Sequence, residues 1–367
     1  MTNTGDGIQH RLKRQVNKST QLKSKFMRTK LKRQFFLIFV VISSTLFAVI
    51  LGEITLRLIG FEFALYPTKV QFGWPDPVIL KNLYHFDSEL LWVPKDYSTR
   101  VANWKGKRPT VVFMGDSNTE FGRYDEFLKS IIYEQNANSA FTFVNVGVAG
   151  WSSYQGLQQL KRDVVPMLPR FVTIYYGWND HWASFGIEDK EMGQYNLEHS
   201  TLQLEVFSDV RVIQLFNKAI FVLKRSVTEQ DEQEPERVSL SDFSSNLLQM
   251  IRIARDNDII PLLLTAPSSH KKGEEPAYLA ERWLNDLHQL VPIHKKYVQA
   301  VRDISSKEDV PLIDLFAEFA RLPQEDLNKF FQNDGIHLTS EGNRKIAELI
   351  YKYFVKNDLY DRLVGQD

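Results

Sequence analysis

From Thr110 onward the chain alternates short apolar runs, rich in β-branched residues, with longer stretches of helical period. The runs Thr110–Met114, Phe141–Val146, Phe171–Tyr176, Ile259–Thr265 and Pro311–Leu315 are mostly apolar at successive positions, which predicts strands buried on both faces. Between and after them, Tyr124–Asn136, Ser153–Leu168, Ser241–Asp256, Glu274–Ser305 and Ser340–Asn357 read as helices, the fourth interrupted at Pro292. Strands and helices in alternation predict an α/β fold, a parallel sheet covered on both sides. Ligands of such sheets bind at the carboxyl ends of the strands.

Three other stretches set the organisation. Phe35–Leu51 is uninterrupted by charge between Arg33 and Glu53, long enough as a helix to cross roughly 30 Å of hydrocarbon. A buried core helix or a cleaved signal peptide would pass the same test. No Ala-x-Ala site follows, however, and ten Lys/Arg precede the run in residues 1–34, so an uncleaved anchor is expected at 35–52. The positive leader then stays cytoplasmic and everything after Gly52 lies outside, in a single-pass cell-membrane protein. Residues 53–105 show no sustained period and are read as a juxtamembrane connector packed partly on the main domain, residues 106–367. Within that domain, residues 181–240 form an unusually long interval. Its aromatic start (His181, Trp182, Phe185) and apolar helical run (Val212, Leu215, Phe216, Leu223) suggest a cover over the site. The acidic stretch Glu229–Glu236 suggests a solvated loop.

Composition narrows the chemistry. The formal charge is zero, but the basic leader, with Asp6 as its one acid, leaves 35 basic and 44 acidic residues in the remainder. A mildly acidic body is a poor nucleic-acid binder. With no cysteine, disulfides and thiolate metal sites are excluded. No metal or organic cofactor is implied.

Four short motifs follow one another in order: Gly115-Asp116-Ser117-Asn118, Gly150, Gly177-Trp178-Asn179-Asp180 and Asp334-Gly335-Ile336-His337. Each has a plain structural reading. Ser117 or Asn118 caps the next helix, Gly150 and Asn179 make turns, and Asp334 caps the helix near Ser340. The chemical reading places a serine, a backbone N–H, an amide and an Asp/His pair at one sheet end, which is what acyl transfer needs. His10 falls on the cytoplasmic side, and His288 and His294 sit within a helical pattern as surface residues. Ser152, in Gly150-Trp151-Ser152-Ser153-Tyr154, half-fits a Gly-x-Ser-x-Gly elbow but lacks the last glycine. A metal-dependent phosphoesterase would draw on Asp116, Asn179, Asp180 and His337 as ligands.

Taken in order, these motifs resemble the four marker blocks of the SGNH (GDSL-type) hydrolase superfamily, over roughly Thr110 to the C-terminus. Asn118 stands where the family name has leucine. The resemblance implies a flavodoxin-like three-layer α/β/α fold with a five-stranded parallel sheet. It implies Ser117 as nucleophile, His337 as base and Asp334 as its orienting partner, with Ser117, Gly150 and Asn179 as the oxyanion hole. The 181–240 insertion lies outside the family's minimal pattern. An anchored bacterial member suggests an acylated small molecule or surface glycan as substrate, an O-acetyl ester foremost. Trp151, Trp178 and Trp182 either stack on sugars or pack the loops. An acyltransferase using the same serine, and a non-catalytic surface protein on this fold, are the alternatives.

Overall fold

In the computed structural model the described residues are 33–61, 83–135, 140–184, 188–193, 210–216, 235–279 and 286–364, with a few single positions between. The basic leader up to Lys32, Leu223 and the acidic stretch up to Glu234 fall outside them. The chain divides into two units, residues 1–63 with 205–224 and residues 64–204 with 225–367.

In the first unit α1, Arg33–Leu58, is one 26-residue helix, apolar and long enough to cross a membrane, with none of its apolar stretch buried. It runs six residues past the predicted anchor. Residues 211–216 are helical, and the Val212 N–H donates to Glu53 Oε2 at 3.0 Å.

The second unit is a five-stranded parallel sheet in the order β4-β3-β5-β6-β7. Its strands are β3 (Val111–Gly115), β4 (Phe143–Asn145), β5 (Phe171–Tyr175), β6 (Ile260–Leu264) and β7 (Leu312–Ile313). All five fall inside their expected runs to within a residue. Successive side chains point to opposite faces. Val112, Met114, Val172, Ile174 and Leu263 pack beneath α5 (Ser153–Gln159), α6 (Leu240–Asp256) and α7 (Leu290–Glu308). Val111, Phe113, Phe171, Leu262 and Leu264 pack beneath α4 (Tyr124–Gln135) and α10 (Ser340–Lys356). Each fully buried Phe or Leu contributes about 1.5–3 kcal/mol. The result is three layers, with the strand order reversing between β3 and β5. That reversal opens the crevice in which ligands of open sheets sit.

Three expectations are corrected. Within 53–105 lie a hairpin, β1 (Tyr84–Asp87) and β2 (Leu91–Pro94), and the helix α2 (Tyr97–Trp104). No period betrayed β2 because all four of its residues are buried, as is Leu90 before them. The helix begun at Ser153 passes into a π turn, Leu160–Val164, and a 3-10 turn, Val165–Met167, ending at left-handed Leu168. Pro292 lies in the first turn of α7, where its missing N–H costs nothing, so it opens that helix rather than breaking it.

Candidate active site

The turn after β3 is built by close approach. A Cβ on Gly115 would stand 2.1 Å from Thr119 Oγ1 and 2.8 Å from the Tyr175 carbonyl oxygen, so only glycine lets β3 and β5 run together here. Asp116 then caps the short helix α3 (Ser117–Glu120), its Oδ1 accepting the Asn118 N–H at 2.9 Å. This leaves Ser117 half-exposed at the carboxyl edge of the sheet.

Asp334 and His337 arrive from the opposite end of the chain, in the loop before α10. Asp334 Oδ1 accepts the N–H groups of Ile336 and His337, both at 2.9 Å, which locks the loop on itself. Its Oδ2 accepts the His337 Nδ1–H at 2.5 Å. The imidazole Nε2 is thereby left free of hydrogen, and it stands 2.8 Å from Ser117 Oγ across 220 residues of sequence. Burial lowers the imidazole pKa of His337, but the hydrogen bond and charge of Asp334, with the charge of Asp116, outweigh it and raise the pKa overall. Burial pushes the Asp334 carboxyl up, yet the His337 contact and the two loop N–H groups hold it below its ordinary value. Asp116, fully buried, is pushed up to about 6 against the opposing pull of the Asn118 N–H and His337.

The loop after β4 holds the second motif, Gly150. From Gly147 to Ser152, five N–H groups find acceptors. They are Gly147 on Asn145 Oδ1, Val148 on the Gly115 carbonyl, Ala149 on Glu120 Oε2, Trp151 on the Val148 carbonyl and Ser152 on Gln155 Oε1. The sixth, that of buried left-handed Gly150 (φ +79°), has none among the described residues, and neither has the Ser117 N–H. A buried N–H without a partner costs about 1–3 kcal/mol, so such a group is normally reserved for an acceptor that comes and goes. Asn179, past β5, differs. Its amide nitrogen lies 3.2 Å from Asp116 Oδ2 and 3.1 Å from the Trp151 carbonyl oxygen, so both hydrogens face protein acceptors.

Other candidates fall elsewhere. Ser152 is fully buried and donates to Asp189 Oδ2 at 2.6 Å, and among the described residues no imidazole is hydrogen-bonded to it to serve as base. Asp180 Oδ1 accepts the Ser153 N–H, and no group of three or more His, Asp or Glu residues converges among the described residues, so the ligand set of the phosphoesterase reading is not assembled. Trp151, Trp178 and Trp182 are at most 2% exposed and serve as packing, not as sugar platforms. His294 is buried, not on the surface. It lies on the α7 face shared with Leu290, Tyr297 and Val301, a 3.6-residue spacing legible in the sequence. His270 has no acid placed ahead of it as Asp334 stands ahead of His337, and the sequence alone assigns it no role. It donates from Nε2 to the Asp334 carbonyl oxygen at 2.8 Å, and its place six residues past the end of β6, at the same sheet edge, was the available signal.

Comparison with known proteins follows the geometry. A profile of the GDSL-like Lipase/Acylhydrolase family matches residues 113–345. Solved structures that resemble the chain include a lipase/acylhydrolase from Enterococcus faecalis, 17% identical, covering 67% of this chain and 95% of that one with a TM-score of 0.44. A GDSL-like lipase from Bacteroides thetaiotaomicron is 20% identical, covering 72% and 97%, also with a TM-score of 0.44. An acetylxylan esterase from Geobacillus stearothermophilus is 16% identical, covering 68% and 94% with a TM-score of 0.43. No curated protein matches. With the family profile spanning more than half of its length, the chain belongs to the GDSL-like lipase/acylhydrolase family and is an ester hydrolase of the SGNH type.

Proposed function

We propose that the chain is a membrane-anchored serine esterase that removes O-acetyl or other short acyl groups, on surface glycans, outside the cytoplasm. The observation that carries the mechanism is the 2.8 Å contact between Ser117 Oγ and His337 Nε2, with Asp334 on the far side of the ring. In this reading Ser117 Oγ attacks the ester carbonyl carbon as its proton passes to His337 Nε2. Asp334 holds the ring tautomer and favours the imidazolium that forms. The carbonyl oxygen, now an anion, takes the free N–H groups of Ser117 and Gly150. Asn179 adds a third donor by giving up its 3.2 Å bond to Asp116. Each such donor lowers the barrier by about 2.7–4 kcal/mol. The alcohol leaves with the proton from His337. Water then attacks the acyl-serine, again losing its proton to His337, which returns it to Ser117 Oγ as the acyl–Oγ bond breaks and the acid departs.

The location is supported by α1, uncharged from Gln34 to Gly52 and preceded by the basic leader. A domain tethered outside the cytoplasm meets acylated polysaccharide, which favours a carbohydrate ester. The full-length chain in detergent is expected to react with a fluorophosphonate and to hydrolyse p-nitrophenyl acetate. Ser117→Ala should do neither while keeping its circular dichroism, and labelling of that variant at the wild-type rate overturns the mechanism. Products formed from an acetyl donor with a glycan acceptor separate hydrolysis from transfer. In intact cells, protease added outside should cleave the chain beyond α1; full protection overturns the location.

A further inference from the structure

Arg237, at the far end of the 181–240 stretch, is 1% exposed, and Asp189, from the near half of that stretch, is 2% exposed at its side chain. They face each other as a fork. Arg237 Nε lies 3.2 Å from Asp189 Oδ1 and Nη2 lies 2.8 Å from Oδ2. Nη2 also reaches Gln155 Oε1 at 3.2 Å, and the guanidinium lies over the Trp92 ring at 5.3 Å. The remaining nitrogen, Nη1, donates to the carbonyl oxygen of Gly150 at 2.7 Å. The backbones are stitched as well, the Arg237 N–H to the Trp182 carbonyl at 2.7 Å and the Asp189 N–H to the Arg237 carbonyl at 2.8 Å.

The loop after β4 is therefore gripped at three consecutive residues. Gly150 is held through its carbonyl by Arg237, Trp151 by its indole N–H on the Trp92 carbonyl at 3.0 Å, and Ser152 by its hydroxyl on Asp189. Of the three, Gly150 is held by the guanidinium and Ser152 by the carboxylate of the same buried ion pair. Gly150 is also the residue with the widest conformational freedom and the one whose N–H is unpaired. A donor aimed at a developing oxyanion contributes most when it does not reorganise during the reaction. Here a buried, rigid fork satisfies a carboxylate and a carbonyl at once, which a lysine ammonium does not reproduce.

We infer that Arg237 is a positioning residue: its hydrogen bond to the Gly150 carbonyl holds the peptide that follows and so keeps Gly150 in its left-handed conformation, with its N–H pointing at the oxyanion, and Asp189 fixes the guanidinium in turn. This rests on the esterase reading above. It gives the long insertion a part in the reaction through its two ends.

The test uses the full-length chain in detergent, with active sites counted by fluorophosphonate titration. Arg237→Lys and Asp189→Asn should lower kcat per titrated site by about 10- to 100-fold, part of the loss expected for a missing oxyanion donor. KM and the acid limb of the pH profile should stay in place. Binding of an alkyl trifluoromethyl ketone, which forms an oxyanion on Ser117, should weaken by the same factor as kcat/KM. Ser152→Ala, which removes another partner of Asp189 without touching the Gly150 carbonyl, should stay within about threefold of wild type. The inference is overturned if Arg237→Lys keeps its kcat, if the loss vanishes on counting active sites, or if Ser152→Ala loses as much. If the variants do not fold, a wild-type crystal with the ketone bound decides it: a Gly150 N–H that does not face the oxyanion oxygen overturns the inference. A wild-type chain without ester hydrolysis would instead remove the esterase reading itself.

Discussion

His270 and Asp334 are joined through the backbone: the His270 Nε2–H donates to the Asp334 carbonyl at 2.8 Å, on the residue whose carboxylate holds His337. A neutral bond of this kind contributes about 1 kcal/mol. His270→Ala should therefore lower kcat by about five- to tenfold, while His270→Gln, which can still donate, should recover part of it. Steady-state kinetics on both variants provide the check, and equal, wild-type rates would show that the contact does not support the dyad.

The pH profile has a predictable sign. In the proposed mechanism His337 must be neutral to accept the serine proton, and its pKa is raised. The acid limb of kcat/KM should therefore lie above the ordinary imidazole value of about 6.5. The Asp116 charge favours the imidazolium, so Asp116→Asn should move that limb to lower pH. A limb that stays still or rises in the variant would show that Asp116 does not act on His337.

Acid should loosen the fold through two other imidazoles. His294 gives its Nε2–H to the Ala266 carbonyl at 2.9 Å and takes the His181 Nε2–H on Nδ1 at 3.1 Å. Both are fully buried, which pulls His294 down to about 3 and His181 well below its usual value. Each therefore stays neutral in the fold while the unfolded chain takes up a proton below pH ~6.5. Stability should be unaffected above that pH and fall by about 1.4 kcal/mol per pH unit per histidine beneath it. Urea unfolding of the full chain at pH 7 and 5 measures this, and a His294→Gln variant with an unaltered acid slope would contradict it.

Gly115→Ala tests the approach of β3 to β5. With a methyl 2.1 Å from Thr119 Oγ1 and 2.8 Å from a backbone oxygen, something must shift. Overpacking of this kind costs about 1–3 kcal/mol. The same shift would displace Ser117, so activity per folded molecule should fall together with the urea midpoint.

What the sequence made legible was whatever repeats or is punctuated. The strands showed as apolar runs because a parallel sheet buries both faces, and the motif residues showed because the first three motifs follow strands and the fourth precedes the last long helix. What was hidden is contact between distant segments. The β1–β2 hairpin lacks alternation since Leu91 to Pro94 are all buried. The Arg237–Asp189 pair spans 48 positions with no local signal, and an arginine and an aspartate in a polar insertion look like surface residues. The π turn at Leu160–Val164 differs from an α-helix by a single hydrogen-bond step, beneath what spacing alone resolves.

Ala183 and Glu236 face each other in an antiparallel bridge, which brings the two ends of the insertion together at one place on the second unit. Chain added between Gly193 and Pro235 leaves that juncture in place, and lengthening a loop costs only slowly growing entropy. Such length can change while the sheet and the Arg237–Asp189 fork stay as they are.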